Sequence, residues 1–120
     1  MKVEKKVEIR RIRWLEQVDK ERTEIIGKLR DFIKKHTVEK AILFGSFARG
    51  EEREDSDIDL ILVSKEFEGK SALKRPVPFY IDWHLGYPVD FLCYTPKEFN
   101  DLRKQVSIVS QALKEGIEIV

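Results

Sequence analysis

Gly45-Ser46 is followed, after ten intervening residues, by Asp57-Ile58-Asp59, and a further aspartate, Asp90, stands in the apolar stretch Pro88 to Thr95. Each piece has an ordinary explanation alone: Gly-Ser is a common turn, and D-x-D arises often by chance. Combined, they describe a place for phosphate and metal. Side chains two apart on a strand share a face, and their Cα atoms lie about 6.5 Å apart. Two carboxylates so placed repel unless a cation sits between them. A hard divalent cation such as Mg²⁺ takes oxygen ligands, using one or two carboxylates plus substrate phosphates. Gly45 ends an apolar run and lets the backbone approach a ligand closely. Ser46 adds a hydroxyl and can cap a short helix beginning near Phe47, whose free N–H groups suit phosphate. Arg49, one turn on, reaches phosphate oxygens with its planar fork. An unpartnered Asp90 is costly to bury. If its strand neighbours the strand of Asp59, the three acids meet on one face, with Leu92 and Tyr94 on the same side and Val89, Phe91 and Cys93 on the other. The plain alternative is an edge-strand acid that deters aggregation. A phosphate cradle with three such acids describes a two-metal phosphoryl-transfer site.

These residues need a scaffold of strands and helices. Val18, Ile25, Leu29 and Phe32, widened by Ile26 and Ile33, predict an amphipathic helix over Glu21 to Phe32. The preceding VEIRRIRW fits either alternation or a helix, and helix is preferred. Ala41 to Phe44 reads as a buried strand. Ile58, Leu60 and Leu62 alternate with Asp57, Asp59, Ile61 and Val63, which reads as a second strand. Glu51 to Ser56 between them reads as a solvated loop. Lys65 to Lys74 is loop or frayed helix. Pro76 and Pro78 predict a short helix over Phe79 to Leu85, closed by Gly86. Pro88 to Thr95 is a third strand. Thr95 and Glu98 form a capping box with Pro96 at the first helical position. Leu102, Val106, Val109 and Leu113 predict one helix ending before Gly116, and Ile117 to Val120 a terminal strand. The expected fold is α/β (α+β), a small mixed sheet flanked by helices.

The 120 residues suffice for one domain, and 42% apolar with 38% charged residues describes a globular, charge-dense chain. The net charge of +1 gives no expectation of nucleic-acid or membrane binding. No apolar run suits a membrane span, and the N-terminus lacks the apolar core of a signal peptide. The single cysteine, Cys93, fits a reducing cytoplasm. The abundance of Glu, Lys and Arg, with few amides, fits a heat-adapted source. Elsewhere, Arg75 reads as a surface charge before a nucleotide contact. His36 reads as a helix C-terminal partner, His84 as structural, and Asp82 as outside the site. Phe79, Tyr80, Trp83 and Tyr87 read as core or interface aromatics.

The string Gly45-Ser46-Phe47-Ala48-Arg49-Gly50 … Ser56-Asp57-Ile58-Asp59-Leu60, with Asp90 on a later strand, resembles the G-S-x₁₀-D-x-D signature of the DNA polymerase β-like nucleotidyltransferase superfamily. It is most similar to the minimal nucleotidyltransferases, small prokaryotic proteins. The resemblance covers residues 21–120, so residues 19–120 are expected to form the nucleotidyltransferase domain and residues 1–18 a helical extension. It implies that Asp57, Asp59 and Asp90 bind two Mg²⁺ ions, with Asp90 also helping to deprotonate the acceptor. Gly45, Ser46 and Arg49 would bind the triphosphate of ATP or another NTP. The implied reaction moves AMP to a hydroxyl. Such proteins often act as antitoxins to a small helical HEPN toxin, which implies a toxin tyrosine as acceptor. The competing expectation is a non-catalytic antitoxin or scaffold module. The apolar residues of the N-terminal segment exceed what one small core needs, which suggests a homodimer paired through it.

Overall fold

The computed structural model describes residues 20–50 and 57–120; the readings of residues 1–19 and of the loop 51–56 lie outside these. The first helix, α1, is described over residues 20–34. Its predicted stripe faces inward, with Leu29, Phe32 and Ile33 buried and Ile25 and Ile26 packed against the same core. Four strands follow the predicted order: β1 (Lys40–Phe44), β2 (Ile58–Val63), β3 (Val89–Tyr94) and β4 (Ile117–Glu118). The sheet runs β3-β2-β1-β4, with β2 and β3 parallel and the other two pairings antiparallel. The sheet is therefore mixed, as expected.

β2 lies in the middle, and only Asp59 interrupts its run of buried residues. A strand covered on both faces is apolar at nearly every position, which explains Ile58-Asp59-Leu60-Ile61-Leu62-Val63. One face carries Ala41, Leu43, Ile58, Leu60, Leu62 and Phe91 against α1, Phe47 and Phe79. The opposite face carries Ile42, Ile61 and Val63 against Phe99, Val109 and Ala112. Each fully buried Leu or Ile contributes about 1.5–3 kcal/mol from water exclusion alone.

The short helix after β1, α2, is Ser46–Arg49. A 3₁₀ turn at Lys65–Phe67 is capped by Ser64, whose hydroxyl accepts the Glu66 N–H and donates to the Thr37 carbonyl. The next helix, α3, is Val77–Asp82. It starts two residues earlier than predicted and ends three earlier, because Trp83 is already extended. Gly86, with φ 84°, turns the chain into β3 and does not close the helix.

α3 and the turn before it cover the outer edge of β3. The Phe91 N–H donates to the Tyr80 hydroxyl, and Arg75 Nη1 donates to the Cys93 carbonyl. A sheet edge so occupied is a poor template for further strands.

The capping box of Thr95 and Glu98 forms as predicted and starts α4 (Pro96–Arg103). The single helix predicted beyond it does not form. The chain breaks at Lys104 to Ser107 and restarts as α5 (Ile108–Glu115). A second box drives the restart: the Ser107 hydroxyl accepts the Ser110 N–H, and the Ser110 hydroxyl accepts the Ser107 N–H. Of the apolar positions assigned to that helix, Val109 is buried, Val106 is fully exposed in the turn, and Leu113 is 38% exposed.

Candidate active site

The strand register brings the predicted acids together. Phe44 of β1 stands opposite Asp59 of β2, and Asp59 stands beside Asp90 of β3. Residues in register on adjacent strands project to the same face. That face is the one carrying Ile42 and Ile61, with Leu92 and Tyr94 packed on it as predicted. Asp57, immediately before β2, is exposed, as is Asp90, whereas Asp59 is half-buried. Burial raises the pKa of Asp59 above its ordinary value, the charges of Asp90 and Asp57 raise it further, and Arg49 opposes them. The four groups thus share one electrostatic field.

Gly45 closes this site from the β1 side. Its φ of 77° and ψ of −154° suit glycine, and a Cβ there would collide with Asp59 Oδ2. The backbone at Gly45 and the carboxylate of Asp59 are therefore in contact because residue 45 has no side chain. Ser46 is placed differently from expectation. Gly45 is the N-cap, Ser46 is the first helical residue, and no side chain caps the helix. The hydroxyl of Ser46 is thus not committed to capping.

α2 is held at its far end by a residue that no motif singled out. Arg22 Nη2 of α1 donates to the Phe47 and Ala48 carbonyls, at 2.9 Å and 3.0 Å. Those carbonyls lie in the last turn of α2, where the Phe47 carbonyl also accepts the Gly50 N–H. Arg22 thus links α1 to α2, and α2 to Gly45.

A cleft of about 170 Å³ borders Gly45. Phe44, Gly45 and Arg49 form one wall, and Ile108, Gln111 and Glu115 of α5 the other. Arg49 Nη1 lies 3.6 Å from Glu115 Oε2. Gln111 and Glu115 had no motif to mark them.

Asp59 and Asp90, with Asp57 beside them, suit a hard cation by donor type. Among the described residues no three His, Cys, Asp or Glu side chains are grouped as a ready-made metal cage.

Other candidates sit elsewhere. Arg75 is not a surface charge. Its side chain is 11% exposed, and it donates to Glu98 Oε1 at 2.7 Å and to the Lys70 carbonyl. His36 packs on Phe79, with Nε2 3.0 Å from Asp82 Oδ2 but without a hydrogen bond's alignment, so it is not a plain helix-end charge. Asp82 thus stands beside His36 on the α1 side of the molecule. Phe79 and Trp83 belong to the core of the α1 face. Burial pushes the Cys93 thiol up to about 12, against the pull of Arg75, which removes it as a nucleophile near neutral pH.

The sequence model described as the nucleotidyltransferase domain matches residues 25–119. A protein of Methanocaldococcus jannaschii, described as a candidate protein adenylyltransferase, is 42% identical over 73 residues, covering 59% of this chain and 75% of the relative. Two solved structures share the fold at 17% identity. One, a candidate nucleotidyltransferase of Sulfolobus solfataricus, aligns with a TM-score of 0.58 over 84% of each chain. The other, a toxin–antitoxin with AMP-PNP, aligns with a TM-score of 0.52 over 79% of this chain and 72% of that one. Among the described residues, no helix is long and apolar enough to cross a membrane.

Proposed function

Since this chain belongs to the nucleotidyltransferase domain family, we propose that it transfers AMP from ATP to a hydroxyl of a partner protein, with Asp57, Asp59 and Asp90 as its catalytic acids. One observation carries this reading: Asp59 and Asp90 stand side by side on parallel strands, and Gly45 presses its backbone against Asp59. A site built only for packing has no use for a half-buried acid crowded by two others. Asp57, Asp59 and Asp90 would hold the divalent ions, which when bound neutralise charge on the phosphates. Gly45, Ser46 and Arg49 would orient the triphosphate. The acceptor oxygen attacks the α-phosphorus, its proton passes to Asp90, and the bond to the bridging oxygen breaks to release pyrophosphate. Exposure of Asp90 suits this role, because the acceptor must reach it from solvent.

The relative described as a protein adenylyltransferase supports protein as the acceptor. The fold shared with a toxin–antitoxin, together with the resemblance to minimal nucleotidyltransferases, supports a HEPN-type toxin and its tyrosine as the specific target. The same reading takes residues 19–120 as the transferase domain and residues 1–18 as an extension that pairs two copies.

The test uses Mg²⁺ and ATP labelled at either the α or the γ phosphate, with a partner protein encoded beside this chain. Label is expected on the partner from α-labelled ATP alone, and Asp57→Asn or Asp59→Asn should remove it. Transfer of γ label would make the protein a kinase and overturn the reading. An unlabelled partner held tightly by both wild type and mutant would favour a non-catalytic binding module.

A further inference from the structure

Among the described residues, Glu115 is the one acidic residue in the wall of the cleft beside Gly45, and it faces the arginine assigned to the triphosphate. A carboxylate there opposes anion binding, so its position calls for a reason. That position is firmly set. Val109 and Ala112 bury the inner side of α5. The next residue, Gly116, donates its N–H to the Ala112 carbonyl and is packed so closely that a Cβ would collide with the Ala112 and Leu43 carbonyls. The last turn of α5 is therefore pressed onto β1 two residues before Gly45. The backbone of Glu115 cannot move away without opening the α5–β1 contact, so only its half-exposed side chain can turn.

The ion pair itself is loose. Its closest N–O distance is 3.6 Å, longer than a hydrogen bond, and the two side chains are 42% and 43% exposed. Exposed pairs of this kind are weak and easily exchanged. Glu115 is also not the sole contact of Arg49. A terminal phosphate, with more charge and a geometry that matches the guanidinium fork, is the stronger partner.

We propose that Glu115 is a specificity-determining residue: it holds Arg49 when no nucleotide is bound and is displaced by the terminal phosphate of a nucleoside triphosphate. The inference rests on the reading that Arg49 serves the triphosphate. The exchange makes binding harder for every nucleotide that would recruit Arg49, and only a chain of phosphates long enough to reach Arg49 recovers the loss. The bound state then has Arg49 on phosphate, and Glu115 turned to solvent.

The experiment is calorimetric titration of the full chain, in Mg²⁺, with α,β-methylene ATP, which cannot transfer its nucleotide, and with AMP. Glu115→Gln should tighten α,β-methylene ATP about two- to five-fold, the worth of a half-exposed ion pair, and leave AMP unchanged. Glu115→Ala should give the same gain. In an Arg49→Ala background, Glu115→Gln should have no effect. Unchanged or weaker triphosphate binding in Glu115→Gln would overturn the proposal. So would an equal gain for AMP, or a gain that persists without Arg49, since either would make Glu115 a general repulsive charge. If the wild type binds no triphosphate, the function reading fails with it. Binding without a gain in the variants sinks only the role of Glu115.

Discussion

At Asp59 the proposed function and stability oppose one another. Burial and two neighbouring carboxylates raise its pKa above the ordinary 3.8. Folding therefore disfavours its charged form. The resulting cost is absent below the unfolded pKa and grows to its full value as pH rises through the folded one. Asp59→Asn should abolish nucleotidyl transfer yet raise the melting temperature of the nucleotide-free, metal-free protein near pH 7. The gain should shrink as pH falls towards 3.8, and thermal melts across that range check it. Gly45→Ala should do the reverse of stabilise: a side chain at φ 77° pressed on Asp59 should cost about 1–3 kcal/mol by chemical denaturation and distort the acid as well. The acids and Gly45 were legible in the sequence because a strand fixes which residues share a face. Arg22 and Glu115 were not, because their partners, Phe47 and Arg49, are reached only after the chain folds back.

Among the elements, the helices that support the site depend on local polar contacts. Arg75 connects the turn before α3, the edge of β3 and the first turn of α4. Its removal leaves the Cys93 carbonyl and the Glu98 carboxylate without that donor. Arg75→Ala should destabilise the fold by about 1.5–3 kcal/mol, read from urea unfolding. Thr95→Ala should cost about 1 kcal/mol through loss of the cap. Val106→Ser should fall within about 0.5 kcal/mol of wild type, since Val106 is fully exposed among the described residues. This last expectation separates the observed break from the continuous helix that apolar spacing alone predicts, in which Val106 would be core. The break was readable in Ser107 and Ser110, but a serine pair is a weaker cap signal than Thr95 with Glu98 and Pro96. Where the capping residues were strong, the helix start was located correctly. Where hydrophobic spacing was the only guide, two helices were merged.

At the scale of the whole molecule, a four-stranded mixed sheet divides the labour between its faces. One face is filled by α1, α2 and α3 and supplies most of the core. The opposite face is covered by α4 and α5 and carries Asp59 and Asp90 at one end. The fold class was legible because apolar runs and alternation marked β1, β2 and β3 and helical spacing marked the elements that cover them; the burial of β2 on both faces emerged only in the structure. The cleft between β1 and α5 was not, because no local pattern records how closely Gly116 lets two elements approach. The most direct test of the account is the intact mass of a partner protein co-produced with this chain in cells supplied with Mg²⁺. With the wild type the account predicts a gain of one adenylyl group on a partner hydroxyl, absent when Asp57→Asn is co-produced instead. A partner of unchanged mass with the wild type, or the same gain with the mutant, would contradict it.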